Sequence, residues 1–281
     1  MLKKSVKVAA IQTRASVDMN ANLKNAVIKV RQAARAGAKI ICLPELYRTI
    51  YFPQTISKNF EKYAETIPGE SAAVFSKLAK ELKAVIIVPL FEKAKNGHYY
   101  NSAAVIDETG KLLKTYRKIH IPHDPLFYEK SYFKPGDTGY RIYKTKFATF
   151  AVLICYDQWF PEAARAVALA GAEIIFYPTA IGDIVNYKAA EGDWHEAWET
   201  IMRGHAIANS VYIVAVNRVG IENKLIFWGQ SFICDSFGKI LKRAGKSKEQ
   251  VLTADLDLSI IKPTRDGWGF FRNRRPSTYK L

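Results

Sequence analysis

The chain has 281 residues, 49% apolar and 24% charged, a balance that supports a buried core and excludes a disordered chain. Its 42 Lys and Arg against 26 Asp and Glu give a formal charge of +16. The cations are scattered and form no nucleic-acid module, so a basic exterior without a nucleic-acid partner is expected. No apolar run approaches the roughly 20 residues of a membrane span, and the run 6–11 near the start is too short for the apolar core of a signal peptide. The three separated cysteines Cys42, Cys155 and Cys234 exclude a disulfide framework and point to a reducing, cytoplasmic setting.

Along the chain, short β-branched runs alternate with helical patterns. Residues 6–11 predict a strand. Leu23, Val27, Val30 and Ala34 mark one helical face, closed by Gly37. Residues 40–43 predict a buried strand; Val74, Phe75, Leu78 and Leu82 mark a second helix, followed by a strand over 85–90. Runs at 99–106 and 112–116 flank Asp107-Glu108-Thr109-Gly110 as a hairpin. Residues 120–140, with three prolines and two glycines, predict a long loop anchored by Phe127, Tyr128, Tyr132 and Phe133, and a loop of that length is usually functional. A strand over 147–154 then leads to a helix opened by Pro161 and ended by Gly171. A strand over 174–177 precedes a helix carrying Trp194, Trp198, Ile201 and a core His205. Strands over 211–216, 227–234, 240–243 and 251–256 complete the pattern. No repeat or linker interrupts it, so one α/β domain spanning 1–281 is expected, with 264–281 a basic, aromatic tail.

Three reactive residues fall at strand ends: Glu45 after Leu43, Lys118 after Tyr116 and Cys155 after Ile154. Side chains displayed there converge if the strands are neighbours. The helix beginning at Pro161 and a nearby Lys118 would both favour a thiolate at Cys155, the attacking form of a cysteine. Each residue also has an ordinary reading, as core thiol, helix-start acid or solvated cation. His120 and His123 form a lone HxxH without the further ligands a zinc site needs, so no metal is expected. Cys42 and Cys234 read as inert strand residues, and no phosphate-binding glycine motif is present, so no nucleotide cofactor is expected.

Three segments carry a resemblance: Leu43-Pro44-Glu45, Tyr116-Arg117-Lys118-Ile119-His120-Ile121-Pro122, and Ile154-Cys155-Tyr156-Asp157-Gln158-Trp159-Phe160-Pro161-Glu162. In order and spacing they are similar to the signature segments of the nitrilase superfamily of carbon–nitrogen hydrolases. Glu129-Lys130-Ser131-Tyr132-Phe133 resembles the segment that carries a second active-site glutamate in carbamoylase branches. The resemblance implies an α-β-β-α sandwich that dimerises into a larger assembly, no cofactor, and a small ureido or amide substrate. It implies that Cys155 attacks, Glu45 moves protons, Lys118 and the backbone N–H of Tyr156 steady the oxyanion, and Glu129 orients Lys118. It further implies a homodimer or higher homo-oligomer, with the 264–281 tail packing on the body or on a partner subunit.

Within that superfamily the runs 157–165, 172–182 and 267–276 resemble the branch acting on N-carbamoylputrescine. The similar branch that takes carbamoyl-D-amino acids carries arginines just after the nucleophile's aspartate, and the β-ureidopropionase branch a different basic run, as a grip on a carboxylate would need, whereas this chain has Gln158-Trp159-Phe160. A cationic tail would want acids or aromatic faces. The candidates are Asp124, Asp157, Asp183 and Trp159. The alternatives are another carbamoylase or an ω-amidase of the same superfamily, or a basic nucleic-acid-binding module on the same fold.

Overall fold

In the computed structural model, which describes residues 5–279, alternation along the first strand sets the layering. β1 (Ser5–Gln12) places Val6, Val8 and Ala10 in one core and Ala9 and Ile11 in another, the two-residue period of a strand buried on both faces. Ala9 and Ile11 share their core with Leu23, Ala26, Val30 and Ala33 of α1 (Met19–Arg35). Asp18 caps α1 by accepting from the N–H groups of Asn20 and Ala21. Gly37, at φ 91°, turns the chain into β2 (Ile40–Cys42). Phe75 and Leu78 of α2 (Glu70–Leu82) complete this outer layer. β3 (Val85–Lys93), β4 (Tyr99–Ile106) and β5 (Tyr116–Arg117) follow.

The second half contains β6 (Ile142–Lys144), β7 (Thr149–Val152), α3 (Pro161–Leu169), β8 (Ile174–Thr179), β9 (Gly182–Ile184), α4 (Trp194–Asn209) and β10 (Tyr212–Asn217). β11 (Val219–Glu222), β12 (Leu225–Trp228), β13 (Phe232–Cys234), β14 (Ile240–Arg243), β15 (Gln250–Asp257) and α5 (Ile261–Trp268) close the order. One six-stranded sheet runs β15-β1-β2-β3-β4-β5 and a second runs β14-β13-β10-β8-β7-β6, while β11-β12-β9 form a small third sheet. Both large sheets have a parallel centre, β1-β2-β3 and β7-β8-β10, with antiparallel edges. Their inner faces share one core, in which Val8, Ile40 and Val85 join Phe150, Ile174 and Val214. Ala163, Val167, Trp198 and Met202 cover the second sheet from outside. The result is an α-β-β-α sandwich.

Three departures from the sequence pattern have local causes. The run 227–234 is two strands, because Gly229 (φ 63°) and Gln230 (φ 51°) are both left-handed and send β12 into the third sheet. The run 112–116 contributes only an isolated Ile106–Leu112 bridge before β5. β6, β9 and β11 are too short, at three or four residues, for a period to register. Of the 264–281 tail, residues 280 and 281 lie outside the described region. Arg265 donates to the Ala172 carbonyl at 2.6 Å, and the Phe271 ring lies beneath the guanidiniums of Arg165 and Arg265. Among the described residues no helix is long and apolar enough to cross a membrane.

Candidate active site

Four elements deliver the four reactive side chains. Glu45 sits in the turn after β2, and Lys118 follows β5, where its N–H donates to the Asn101 carbonyl at 2.8 Å. Cys155 opens a 3-10 turn, Cys155–Trp159, just past β7. Glu129 opens another, Glu129–Ser131, inside the long loop. That loop is pinned by Tyr132 and Phe133 packing with Phe52 and Phe91. Gly136 sits so close to the Arg117 and Lys118 carbonyls that any Cβ would collide with backbone. The strands are not all neighbours: β3 and β4 separate β2 from β5, and β7 belongs to the facing sheet. Convergence comes from two sheets meeting face to face.

Glu45, Lys118 and Glu129 are fully buried and Cys155 nearly so. The Lys118 ammonium donates to Glu45 Oε1 at 2.9 Å and to Glu129 Oε2 at 2.7 Å. Asn101 Nδ2 donates to Glu45 Oε1 at 2.7 Å, and the Tyr51 hydroxyl donates to Glu129 Oε1 at 2.7 Å. Among the described residues Glu45 Oε2 has no hydrogen-bond partner, so one lone-pair-bearing oxygen of a buried carboxylate stands ready for a proton. Neither Tyr51 nor Asn101 was expected from the sequence. Asn101 left a faint signal, a polar residue on the inward face it shares with Ala103 and Val105; Tyr51 left none.

Electrostatics correct the expectation of a resting thiolate. Burial pushes the Cys155 thiol well above its usual range and the Glu45 charge pushes the same way; Lys118 pulls it down, but not enough. The resting form is therefore the thiol, and attack requires a base. Burial opposes the charge on Lys118, yet Glu129 and Glu45 outweigh it and raise its pKa. Burial, with Glu45 adding to it, raises Glu129 to about 7 against the opposing pull of Lys118. Cys155 itself is held at φ 44°, a left-handed conformation that a non-glycine residue adopts at a cost of about 1–3 kcal/mol and that clusters at functional sites.

Cys155 and Glu129 open onto a cavity of about 260 Å³ whose walls include Asp124, Phe127, Tyr156, Trp159 and Trp194. Three of the proposed substrate contacts, Asp124, Tyr156 and Trp159, are thus in place around it. Asp157 is not. It is fully buried and accepts from Tyr116 Oη (2.7 Å), the His120 N–H (3.0 Å), His120 Nδ1 (2.7 Å) and the Ile154 N–H (2.9 Å). Its lone pairs are committed to holding the Lys118 and Cys155 segments together. Asp183 lies elsewhere too, on β9 in a neighbouring cavity beside Asp193 and Lys188, sharing only the Trp194 wall. Of the HxxH pair, His120 is tied to Asp157 and stacked on Phe160, while His123 sits edge-on to Tyr128. His205 is buried and its Nε2 contacts the Gln158 carbonyl at 2.8 Å, a core histidine.

A buried Cys–Lys–Glu–Glu cluster between two sheets of an α-β-β-α sandwich defines a hydrolase of linear amide carbon–nitrogen bonds. The sequence profile of the carbon–nitrogen hydrolases matches residues 7–266, and the chain belongs to that family, within the nitrilase superfamily. It is 47% identical to an N-carbamoylputrescine amidase of Oryza sativa subsp. japonica, over 98% of this chain and 94% of the rice protein. It is 40% identical to a citrullinase of Francisella tularensis, over 98% and 97% of the two chains. The crystal structure of a carbon–nitrogen hydrolase from Helicobacter pylori G27 superposes with a TM-score of 0.93 at 36% identity, covering 99% of this chain and 97% of that one.

Proposed function

We propose that the chain hydrolyses N-carbamoylputrescine to putrescine, carbon dioxide and ammonia through a thioester on Cys155. One observation carries the substrate class: the cavity holding Cys155 and Glu129 has aromatic walls and a single further acid, Asp124, and among the described residues no Lys, Arg or His lines it. A carboxylate tail would find no free cation along these walls, since the buried Lys118 is already paired with Glu45 and Glu129, whereas an ammonium meets Asp124 and the faces of Trp159 and Trp194. The similarity to the rice amidase supports the same reading.

In this mechanism Glu45 accepts the Cys155 proton at its unpartnered Oε2, and Sγ adds to the ureido carbon. The ammonium of Lys118 and the N–H of Tyr156, in the first turn of the 3-10 helix where such donors lack internal acceptors, stabilise the oxyanion. Collapse breaks the carbon–nitrogen bond to the terminal nitrogen. The proton held by Glu45 goes to that nitrogen, and ammonia leaves. Glu45 then takes a proton from water; the hydroxide adds to the carbonyl and the C–S bond breaks, with the sulfur regaining its proton. The carbamic acid released decomposes to amine and carbon dioxide. Glu129, bonded to Lys118 and Tyr51, fixes the ammonium.

Steady-state ammonia release tests the substrate. N-carbamoylputrescine is expected to outrank N-carbamoyl-β-alanine, N-carbamoyl-D-amino acids, citrulline and ω-amides in kcat/KM; equal or faster turnover of a carboxylate-tailed compound overturns the assignment. Asp124→Asn should raise KM for N-carbamoylputrescine about tenfold, the scale of one hydrogen bond to a charged group, with kcat near that of the wild type. An unchanged KM would remove Asp124 from the amine end.

The pH profile tests Glu129. Its raised pKa of about 7 means that lowering the pH through neutrality protonates it and forfeits an acceptor for Lys118 or Tyr51. An acid limb in kcat/KM near pH 7 is expected. Glu129→Gln cannot ionise and should move that limb down; a limb that stays near 7 in the variant assigns it elsewhere.

The chain is further expected to act as a homodimer or higher homo-oligomer, since Ile207, Trp268, Phe270 and Tyr279 leave apolar surface exposed around α4 and the tail; sedimentation velocity decides. Its three unpaired cysteines suit a cytoplasmic setting.

A further inference from the structure

We infer that Arg218 is a positioning residue that sets both active-site carboxylates through one buried strut. It occupies the single position between β10 and β11, 173 residues from Glu45, and is 1% exposed. Its Nη2 donates to three carbonyls of one loop, those of Glu45 (2.9 Å), Leu46 (2.9 Å) and Thr49 (3.2 Å). These oxygens converge where the loop curls through Leu46 at φ 48°. Arg218 Nη1 donates to Glu222 Oε1 at 2.7 Å, and Glu222 Oε2 accepts the Tyr51 N–H at 2.6 Å. The Tyr51 hydroxyl then reaches Glu129 Oε1. Thus one guanidinium holds the backbone of Glu45 directly and, through Glu222 and Tyr51, the side chain of Glu129. Lys118 closes the ring by donating to both acids. The guanidinium also lies 5.3 Å from the Phe227 ring centroid, so its plane is fixed by packing as well as by hydrogen bonds.

The geometry requires arginine. A planar fork can serve several carbonyls on one nitrogen and a carboxylate on the other, whereas a lysine ammonium is a single point of donation. A residue needed only for folding would, when replaced, lower stability and leave turnover per folded molecule intact. Displacing Glu45 instead slows chemistry without changing the Asp124 and aromatic walls that bind substrate.

The strut rests on the proposed roles of Glu45 and Glu129, and its test compares Arg218→Lys and Tyr51→Phe with wild type, per mole of folded enzyme determined from the cooperative thermal transition. Arg218→Lys is expected to lower kcat about 100-fold, the effect of an ångström-scale misplacement, with KM within about threefold. Tyr51→Phe keeps every Arg218 contact but removes the bond to Glu129. It should lower kcat about tenfold, on the scale of one such hydrogen bond, and move the acid limb upward, because that bond favours the Glu129 carboxylate. The charged or titratable groups facing Glu129 are Lys118, Glu45, Tyr51 and Cys155. A folded Arg218→Lys enzyme with wild-type kcat overturns the inference. Should Arg218→Lys fail to fold, Glu222→Gln takes its place, since it weakens the link from Arg218 to Tyr51 and leaves the three carbonyl contacts, and an unchanged kcat and acid limb in it overturn the inference. A wild type that prefers another urea or amide overturns the substrate assignment and not the strut, because the variant-to-wild-type ratio is read on whichever substrate turns over fastest.

Discussion

Cys155→Ser is expected to release ammonia from N-carbamoylputrescine at least about 1,000-fold more slowly than wild type, the usual scale for losing a nucleophile whose partners act as a unit. The substitution is close to isosteric and leaves the backbone at φ 44° as it is. What changes is acidity. In the proposed mechanism Glu45 removes a proton from a buried group already pushed above its ordinary range by desolvation. A carboxylate can do so for a thiol while the developing thiolate is stabilised by Lys118. A hydroxyl, more weakly acidic by several further units, is out of its reach. The thermal transition should stay within a few degrees of wild type, which separates lost chemistry from lost fold. A coupled ammonia assay showing more than a tenth of wild-type turnover in Cys155→Ser would remove the thioester from the mechanism.

Lys118→Met should lose both activity and stability. The ammonium is fully buried between Glu45 and Glu129. Methionine has nearly its length but leaves two carboxylates facing each other without a cation. Removing one partner of a buried charge cluster costs about 3–5 kcal/mol, and losing the proposed oxyanion donor should lower kcat a further 100–1,000-fold or so. The pH dependence has a definite sign. Glu129 already has a folded-state pKa raised to about 7, from an ordinary 4.5, and without Lys118 it must rise further. A raised carboxylate pKa destabilises the fold above that pKa, and the penalty fades as pH falls toward the unfolded value. The stability gap between variant and wild type should therefore narrow from pH 8 to pH 5.5 in urea titrations. A gap that is constant or widens in acid would mean that Lys118 does not carry the charge balance of the site.

How much of this was legible in the sequence follows from which signals are local. The helical faces of α1, α2 and α4 and the long strands announce themselves by period, and Pro161 and Gly171 bracket α3 as their chemistry demands. Glu45, Lys118 and Cys155 are conspicuous as reactive residues at the ends of apolar runs. The strut is not. Arg218, Glu222 and Tyr51 are joined only by the fold, since 167 positions separate Tyr51 from Arg218 and no pattern links them. Asp157 and Asp183 read as equal to Asp124 because loop acids look alike in sequence. Only coordinates reveal that Asp157 spends its lone pairs on Tyr116, His120 and Ile154, and that Asp183 faces a different cavity. The left-handed pair Gly229–Gln230 was invisible for a similar reason, as glutamine carries no expectation of positive φ.

In the proposed mechanism the ureido carbon passes to Cys155 as ammonia departs. Rapid acid quench during turnover of N-carbamoylputrescine labelled at that carbon, followed by peptide mass analysis, tests it most directly. Label is expected on the peptide containing Cys155, with one ammonia formed per adduct before any amine appears. Label on another residue, or amine appearing together with ammonia and no labelled Cys155, would contradict it.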